Sequence, residues 1–219
     1  MEDYVRAALL GLLQALTEFL PVSSSGHLVV AAELFGDKVN EVTFDGGLHL
    51  GTTAGVLIYF WRDWAMLVKS TYRDLTNYGA HIQYWHWESR LSMLLVTASL
   101  PGLIVGALIE LLIGNGLREP WIVGTTLIVG GIAIWIFDAL GKQTRQLPDI
   151  NAPRALLIGL AQAIALVPGI SRSGATIAAG RALNLERPVA ARFSFLISAP
   201  IVLGASAALL GNAIITHEN

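Results

Sequence analysis

The sequence predicts an all-α integral membrane protein built as an inverted-topology repeat, and three features predict it: the composition, the charge-free segments and an internal repeat. The chain has 219 residues, of which 54% are hydrophobic and only 14% charged, and its mean hydropathy is +0.60. A soluble domain usually carries about 25% charged residues, because its surface must be hydrated. The net charge of −2 gives no basic field, so we expect no nucleic-acid partner, and the lack of cysteine excludes thiol chemistry.

Charged residues occur in clusters, and the gaps between the clusters predict four membrane-spanning helices. A helix needs about 20 mostly apolar residues to cross the hydrocarbon core of a bilayer. The predicted spans cover residues 44–62, 91–113, 120–140 and 189–212. The two longer connections are predicted loops, 62–90 and 141–154, and their Arg and Lys residues place them in the cytoplasm by the positive-inside rule.

Two further apolar segments, 5–36 and 154–184, predict re-entrant helical hairpins rather than spans. Each has a polar centre rich in Pro, Gly and Ser between two apolar arms, and each arm is too short to cross alone. Irregular backbone at membrane depth is tolerated only where it is buried in protein or lines a cavity. We therefore expect both polar tips to lie near the middle of the membrane.

The two hairpins repeat each other. Residues 11–26 align without a gap to residues 159–174, and seven of the 16 positions are identical at an offset of 148. The charge distribution has the first hairpin enter from outside and the second from the cytoplasm, so the halves 1–140 and 154–219 of a single membrane domain are inverted. The second half contains one span where the first contains three. The symmetry therefore predicts that two C-terminal spans are missing.

Arg172 carries the only charge between Ala155 and Gly180, at the tip of the second hairpin. A charge at that depth is costly without a partner, and a planar guanidinium is suited to bidentate binding of phosphate oxygens. The helix that resumes after the tip directs its N–H groups to the same point. The hydroxyl groups beside Arg172 are further candidate anion ligands: Ser171, Ser173 and Thr176. The alternative interpretation is a buried ion pair with Glu18 that orders the fold, and the two interpretations can coexist.

The first tip combines an amide, a carboxylate, hydroxyls and an imidazole. Gln14 and Glu18 are four residues apart, so they lie on one side of a helix. Glu18 is a candidate for coordinating Mg²⁺ or Ca²⁺ or for orienting His27, and His27 is a candidate general acid or base. Ser23 or Ser24 is a candidate nucleophile activated by His27, and helix capping is the alternative role of each serine.

Three polar residues, His49, Thr52 and Thr53, interrupt the apolar segment that follows the first hairpin. One interpretation is that they line the same cavity as the two tips. The other is a hydrogen-bonded polar patch inside the helix bundle, without a functional role.

Two long motifs carry a resemblance to a known family. Gln14-x-x-x-Glu18-Phe-Leu-Pro-Val-Ser-Ser-Ser-Gly-His27 and Pro168-Gly-Ile-Ser-Arg-Ser-Gly-Ala-Thr176 resemble the two signatures of the undecaprenyl-diphosphatase family, the bacitracin-resistance phosphatases. The resemblance covers essentially the whole chain. It implies a multi-pass enzyme of the bacterial plasma membrane whose active site opens to the outer face. Such an enzyme cleaves a polyprenyl diphosphate lipid to the monophosphate with Mg²⁺ or Ca²⁺, and so recycles the lipid carrier for peptidoglycan synthesis.

The resemblance also implies roles for single residues. The implied catalytic residues are Glu18, Ser24, His27 and Arg172. The implied substrate-binding residues are Ser23, Ser25, Ser171, Arg172, Ser173 and Thr176. The implied metal ligands are Glu18 and Gln14, where Gln14 stands at a position that is Glu in many members. In the expected mechanism Arg172 holds the diphosphate, Ser24 or a water attacks the terminal phosphorus, and His27 moves the proton. Assembly as a homodimer is left open.

A transporter is the competing function class. Inverted repeats with broken helices and an anion site at the midplane also describe secondary carriers. A lipid-phosphate flippase or anion carrier would need Arg172 and Glu18 but no Ser/His pair. Phosphate release by the purified protein discriminates the two, because a carrier releases none.

Overall fold

The computed structural model describes residues 2–35, 42–112 and 119–217, and these ranges form α-helices joined by short turns, with no β-sheet. The helices are α1 (Glu2–Phe19), α2 (Ser24–Phe35), α3 (Val42–Tyr59), α4 (Trp61–Tyr78), α5 (Trp87–Leu112), α6 (Pro120–Leu140), α7 (Ala152–Ile164), α8 (Arg172–Ala182) and α9 (Arg187–His217). Short 3-10 turns occupy two of the connections, at Ile82–Tyr84 and Leu147–Asp149. The predicted all-α class is confirmed.

Three of the four predicted spans are confirmed as helices that are long and apolar enough to cross a membrane. They are Trp87–Ile109 in α5, Pro120–Leu140 in α6 and Arg187–Gly204 in α9. The fourth predicted span, 44–62, corresponds to α3, which has 18 residues and ends at Tyr59. The side chains of α3 before Gly47 lie outside the described part of the chain, so its role as a span stays a prediction.

The prediction of a loop over 62–90 is wrong, because most of this segment is the 18-residue helix α4. The charges that suggested a loop lie on its outer face, while Leu67, Ser70 and Asp74 are buried. Asp74 accepts hydrogen bonds from the backbone N–H of His86 at 2.7 Å and from the Ser89 hydroxyl at 2.8 Å. Burial alone would raise the pKa of Asp74, but these hydrogen bonds outweigh it and hold the pKa well below its usual value. Asp74 therefore anchors α4 to the start of α5.

Both predicted hairpins are broken where the sequence predicts a break. Helices α1 and α2 are separated by a turn at residues 20–23, and α7 and α8 by a turn at residues 165–171. Helix α1 begins at Glu2 and has 18 residues, so this arm is longer than predicted. The re-entrant course of the hairpins, the inverted orientation and the division into two halves stay predictions.

The turn before α8 depends on one glycine. Gly169 has a φ of +93°, in the region that L side chains rarely adopt. A Cβ atom there would lie 2.0 Å from the Thr126 hydroxyl and 2.6 Å from the Val123 carbonyl oxygen on α6. Thr126 donates a hydrogen bond to the carbonyl of Pro168 at 2.6 Å. The tip of the second hairpin is therefore pinned to α6.

The centre of the bundle is formed by α5, α7 and α9. Ala98 on α5, Ile158 on α7 and Phe193 on α9 are at most 1% exposed. At Gly159 the backbones of α7 and α5 meet so closely that an added Cβ would lie 2.3 Å from the Ala98 carbonyl oxygen. This packing fixes the first arm of the second hairpin in the core.

The far end of α8 is held by a buried arginine. Arg181 is 1% exposed and donates hydrogen bonds to the Asp138 carboxylate at 2.7 Å and to the main-chain oxygens of Leu185 at 2.6 Å and Gly141 at 2.5 Å. Because every one of these bonds crosses to another segment or turn, α8 is fixed at its end as well as at its start. The start of α8 carries Arg172.

Candidate active site

The two hairpin tips meet at an ion pair between Arg172 and Glu18. The Nη2 group of Arg172, in the first turn of α8, donates to Oε1 of Glu18, in the last turn of α1. A second bond joins the tips, because the Ser173 hydroxyl donates to the Leu20 carbonyl at 3.0 Å. The structure thus brings together the guanidinium and the carboxylate that the sequence places 154 positions apart.

Glu18 is the centre of the site. The residue is only 7% exposed, and its second carboxylate oxygen, Oε2, accepts hydrogen bonds from the Ser24 hydroxyl at 2.5 Å and from Gln14 Nε2 at 3.0 Å. The Nε2 atom of His49, on α3, lies 3.7 Å from the same oxygen. A buried carboxylate needs such donors, because desolvation without them is costly.

Ser24 is bound to a carboxylate rather than to an imidazole. The 2.5 Å distance to Glu18 is typical of a hydroxyl that donates to a charged acceptor. In this arrangement Glu18 is the group that can receive the proton of the Ser24 hydroxyl. The activation of Ser24 by His27 stays a prediction, and in this structure the Ser24 hydroxyl donates to Glu18.

His27 is oriented by the backbone of its own hairpin. Its Nδ1 atom lies 2.7 Å from the Ser23 carbonyl oxygen, and its side chain is exposed. A carbonyl only accepts, so Nδ1 carries the hydrogen and Nε2 is the free acceptor of the neutral ring. Orientation of His27 by Glu18, one of the two predicted roles of Glu18, stays a prediction. His27 can still accept or deliver a proton, at Nε2.

The serines next to the nucleophile candidate shape the first tip. Ser23 has a φ of +66°, and its hydroxyl accepts the N–H of Gly26 at 3.3 Å, which caps α2. The Ser23 and Ser25 hydroxyls are 3.4 Å apart, and Ser25 is half-buried. Ser23 therefore has the predicted alternative role of a helix cap, while Ser24 directs its hydroxyl toward Glu18 in the site.

The predicted phosphate ligands of the second tip are buried and engaged with the protein. Ser171 caps α8 by accepting the N–H of Gly174 at 3.0 Å, and its hydroxyl lies 3.2 Å from that of Ser173. The Thr176 hydroxyl lies 2.8 Å from the Arg172 carbonyl oxygen, to which it donates, and 2.6 Å from the Ser194 hydroxyl. These hydroxyls fix the backbone that carries Arg172, and their role as phosphate ligands stays a prediction.

The sequence gives little or no indication that two further residues, His49 and Thr126, contribute to the site. His49 was one of three polar interruptions of an apolar segment, and it alone of the three is placed against Glu18. Thr52 and Thr53 donate to the carbonyl of His49, at 3.0 Å and 2.8 Å, which agrees with a polar patch inside the helix. Thr126, which holds the turn before α8, was not predicted. Its only signal is a threonine in an apolar span.

The comparisons with known proteins cover nearly the whole chain. The family model described as "Bacitracin resistance protein BacA" matches residues 7–219. Among similar curated proteins is an undecaprenyl-diphosphatase of Desulforudis audaxviator, 45% identical over 196 residues, which are 90% of this chain and 72% of the relative. An undecaprenyl-diphosphatase of Rubrobacter xylanophilus is 42% identical over 217 residues, which are 98% of this chain and 78% of the relative.

Proposed function

This chain belongs to the bacitracin resistance protein BacA family, and we propose that it is a membrane phosphatase that hydrolyses undecaprenyl diphosphate to the monophosphate. The name shared by its relatives supports this activity, and does not support the transporter alternative. The observation that carries the proposal is the Arg172–Glu18–Ser24 chain of contacts. It combines a cation for phosphate, a proton acceptor and a nucleophile, and a carrier has no need for the nucleophile.

The first half of the mechanism is binding of the diphosphate. Arg172 presents a fork of N–H donors that matches phosphate oxygens, and α2 and α8 both begin at the meeting point of the tips. Phosphoryl transfer depends mainly on positioning and on neutralisation of charge. Arg172 supplies both, because it carries a positive charge and the capped start of α8 holds its backbone in place.

The second half is transfer of the terminal phosphoryl group. The Ser24 oxygen attacks the phosphorus while its proton passes to Glu18 Oε2, and the undecaprenyl monophosphate leaves. Water then attacks the phosphoserine and gives a proton to His27 Nε2 at the exposed side of the site, while Glu18 returns its proton to the departing Ser24 oxygen and inorganic phosphate is released. In the alternative course water attacks directly, and Ser24 only binds. Trapping of phosphoserine at Ser24 decides between the two.

A divalent cation fits this site as a partner of the substrate. The described residues contain no group of three or more His, Asp or Glu side chains suited to a metal ion, so the protein part of the site is no complete metal cage. However, Gln14 Oε1 is buried without a hydrogen-bond partner, next to the Glu18 carboxylate. Mg²⁺ is commonly bound by one or two such oxygens together with substrate phosphates. We propose that Gln14 and Glu18 hold Mg²⁺ or Ca²⁺, which supplies neutralisation of phosphate charge.

The membrane context completes the proposal. The three long apolar helices and the bacterial relatives support a bacterial membrane protein. We place the site toward the outer face of the plasma membrane, because the basic segments 62–90 and 141–154 belong on the cytoplasmic side. The product then returns to the synthesis of envelope polymers.

The test is phosphate release from undecaprenyl diphosphate by the protein purified in detergent. We expect release by the wild type, and loss of turnover with retained lipid binding for His27→Ala. A wild-type protein that is folded and binds the lipid but releases no phosphate would refute the proposed activity.

A further inference from the structure

We propose that His49 is a positioning residue that takes over the Glu18 carboxylate when the diphosphate of the substrate engages Arg172. The inference rests on the proposed function and assigns a role to a side chain from α3, outside both hairpins. His49 Nε2 lies 3.7 Å from Glu18 Oε2, and the His49 side chain is 29% exposed. A usual N–H···O hydrogen bond is about 2.9 Å long, so a small movement makes this contact a bond.

The need for a second partner arises from competition for Arg172. In this structure its Nη2 group donates to Glu18. A phosphate oxygen pair takes two parallel N–H groups of a guanidinium, and a diphosphate carries more negative charge than one carboxylate. Binding of the substrate therefore draws Arg172 away from Glu18, at least in part.

Glu18 cannot be left with weakened partners at low cost. It is 7% exposed, and a buried carboxylate that loses its cation must find other donors. Its remaining donors are Gln14 and Ser24. Both already bond to Oε2 in this structure. His49 is the next donor, and its Nε2 atom approaches the same oxygen.

The position of His49 is fixed by its own helix. Thr52 and Thr53 bind the His49 carbonyl at 3.0 Å and 2.8 Å, which holds this turn of α3. The neighbouring Leu48 packs toward α1, where a Cβ on Gly11 would lie 3.8 Å from its side chain. Helix α3 thus presents His49 to Glu18 from a segment outside both hairpins.

The experiment compares His49→Leu, His49→Gln and the control His81→Leu. His81 is an exposed histidine whose Nδ1 bonds to Tyr78 of its own turn, 2.9 Å away, so it matches the chemical change outside the site. For His49→Leu we expect KM for undecaprenyl diphosphate to rise about tenfold with a smaller change in kcat, because Arg172 stays committed to Glu18. His49→Gln restores an N–H donor and should bring KM back toward the wild-type value. His81→Leu should change neither constant.

A second readout keeps the two proposals distinguishable. Equilibrium binding of a methylene-bridged, non-hydrolysable polyprenyl diphosphonate tests His49 without turnover, and we expect His49→Leu to weaken it by the same factor as KM. Unchanged KM and unchanged binding in His49→Leu would overturn the role of His49 while leaving the phosphatase intact. Equal losses in His49→Leu and His49→Gln, with lowered thermal stability, would also overturn it. A wild type without turnover would refute the activity instead, and the binding comparison would still decide on His49.

Discussion

The two hairpin tips share one capping pattern and carry opposite chemistry. Ser23 and Ser171 cap the second arms in the same way, by accepting the N–H of the glycine three residues later. Ser24 in the first tip corresponds to Arg172 in the second at the repeat offset of 148. In both tips the cap fixes the backbone of the residue that follows it. The side chain of that residue then decides whether the tip supplies a nucleophile or a cation.

The remaining site residues extend this contrast. Glu18 and His27 in the first hairpin correspond to Leu166 and Ala175 in the second, so the groups able to accept a proton lie on one side only. A symmetric arrangement would set like charges against each other. The divergence of the two tips therefore gives the pair of opposite charges that a phosphate site needs.

The glutamines at corresponding positions of the two repeats also differ in their surroundings. Gln14 is 0% and Gln162 is 1% exposed, and each has a buried Oε1 atom without a hydrogen-bond partner. Gln14 donates to Glu18 at 3.0 Å, whereas Gln162 donates to the Ala98 carbonyl at 3.4 Å. The same residue thus belongs to the site in one hairpin and to the core packing in the other.

The largest expected effect comes from removing the cation of the second tip. Arg172→Ala should lower kcat/KM for undecaprenyl diphosphate by about 10³-fold, since both charge and fork geometry are lost. Arg172→Lys keeps the charge but not the fork, so it should lose about 10²-fold. Phosphate release measured at several lipid concentrations checks both values. Normal turnover of both folded variants would contradict the assignment of Arg172 as the phosphate clamp.

The next largest effect, on stability, compares how tightly the first arms of the two hairpins are packed. Gly159→Ala places a Cβ 2.3 Å from the Ala98 carbonyl oxygen and should destabilise the protein by about 3 kcal/mol, because the α5 backbone must move. Gly11→Ala is the matched change in the first hairpin, where the nearest contact is Leu48 at 3.8 Å. It should be neutral or stabilise by up to about 1 kcal/mol through helix propensity. Thermal unfolding at one scan rate, in one detergent, compares them, and equal losses would show that both hairpins are packed alike.

The glutamine pair gives a smaller effect on activity. Gln14→Leu removes a donor from Glu18 and should lower kcat/KM about tenfold, equivalent to about 1.4 kcal/mol. Gln162→Leu removes only a long hydrogen bond and an unpaired oxygen, so activity should stay at the wild-type value and stability should not fall. The measurement is phosphate release together with thermal unfolding. If the two variants behave alike, the site role of Gln14 is refuted.

The sequence was sufficient to predict the parts of this design that depend on composition. The breaks in both hairpins follow from Pro, Gly and Ser in apolar segments, and the meeting of Arg172 with Glu18 follows from the cost of a charge at membrane depth. Helix α5 starts four residues before its predicted boundary, and α6 matches its prediction. These features need no knowledge of three-dimensional contacts.

Other parts depend on contacts between distant segments and could not be predicted. Helix α4 was assigned to a loop because its charges dominate the composition, while its buried face is defined only by packing against α5. The partner of Ser24 depends on the direction in which the turn before α2 points the hydroxyl. That direction follows from the positive φ of Ser23. Nothing in the sequence indicates that this serine adopts a positive φ. His49 reaches Glu18 only because α3 packs beside α1.

The smallest expected effect tests that positive φ directly. Ser23 has a φ of +66°, whereas Ser171, with a φ of −68°, caps α8 from an ordinary extended conformation. A side chain in the left-handed region costs about 1 kcal/mol, which glycine avoids, and the loss of a serine cap to glycine costs only a few tenths of that. Ser23→Gly should therefore be about 1 kcal/mol less destabilising than Ser171→Gly, because the greater chain entropy of unfolded glycine applies equally to both. Thermal unfolding of the two variants, side by side, measures the difference. Equal destabilisation would mean that the backbone at Ser23 is not strained, and that the two tips share their conformation as well as their caps.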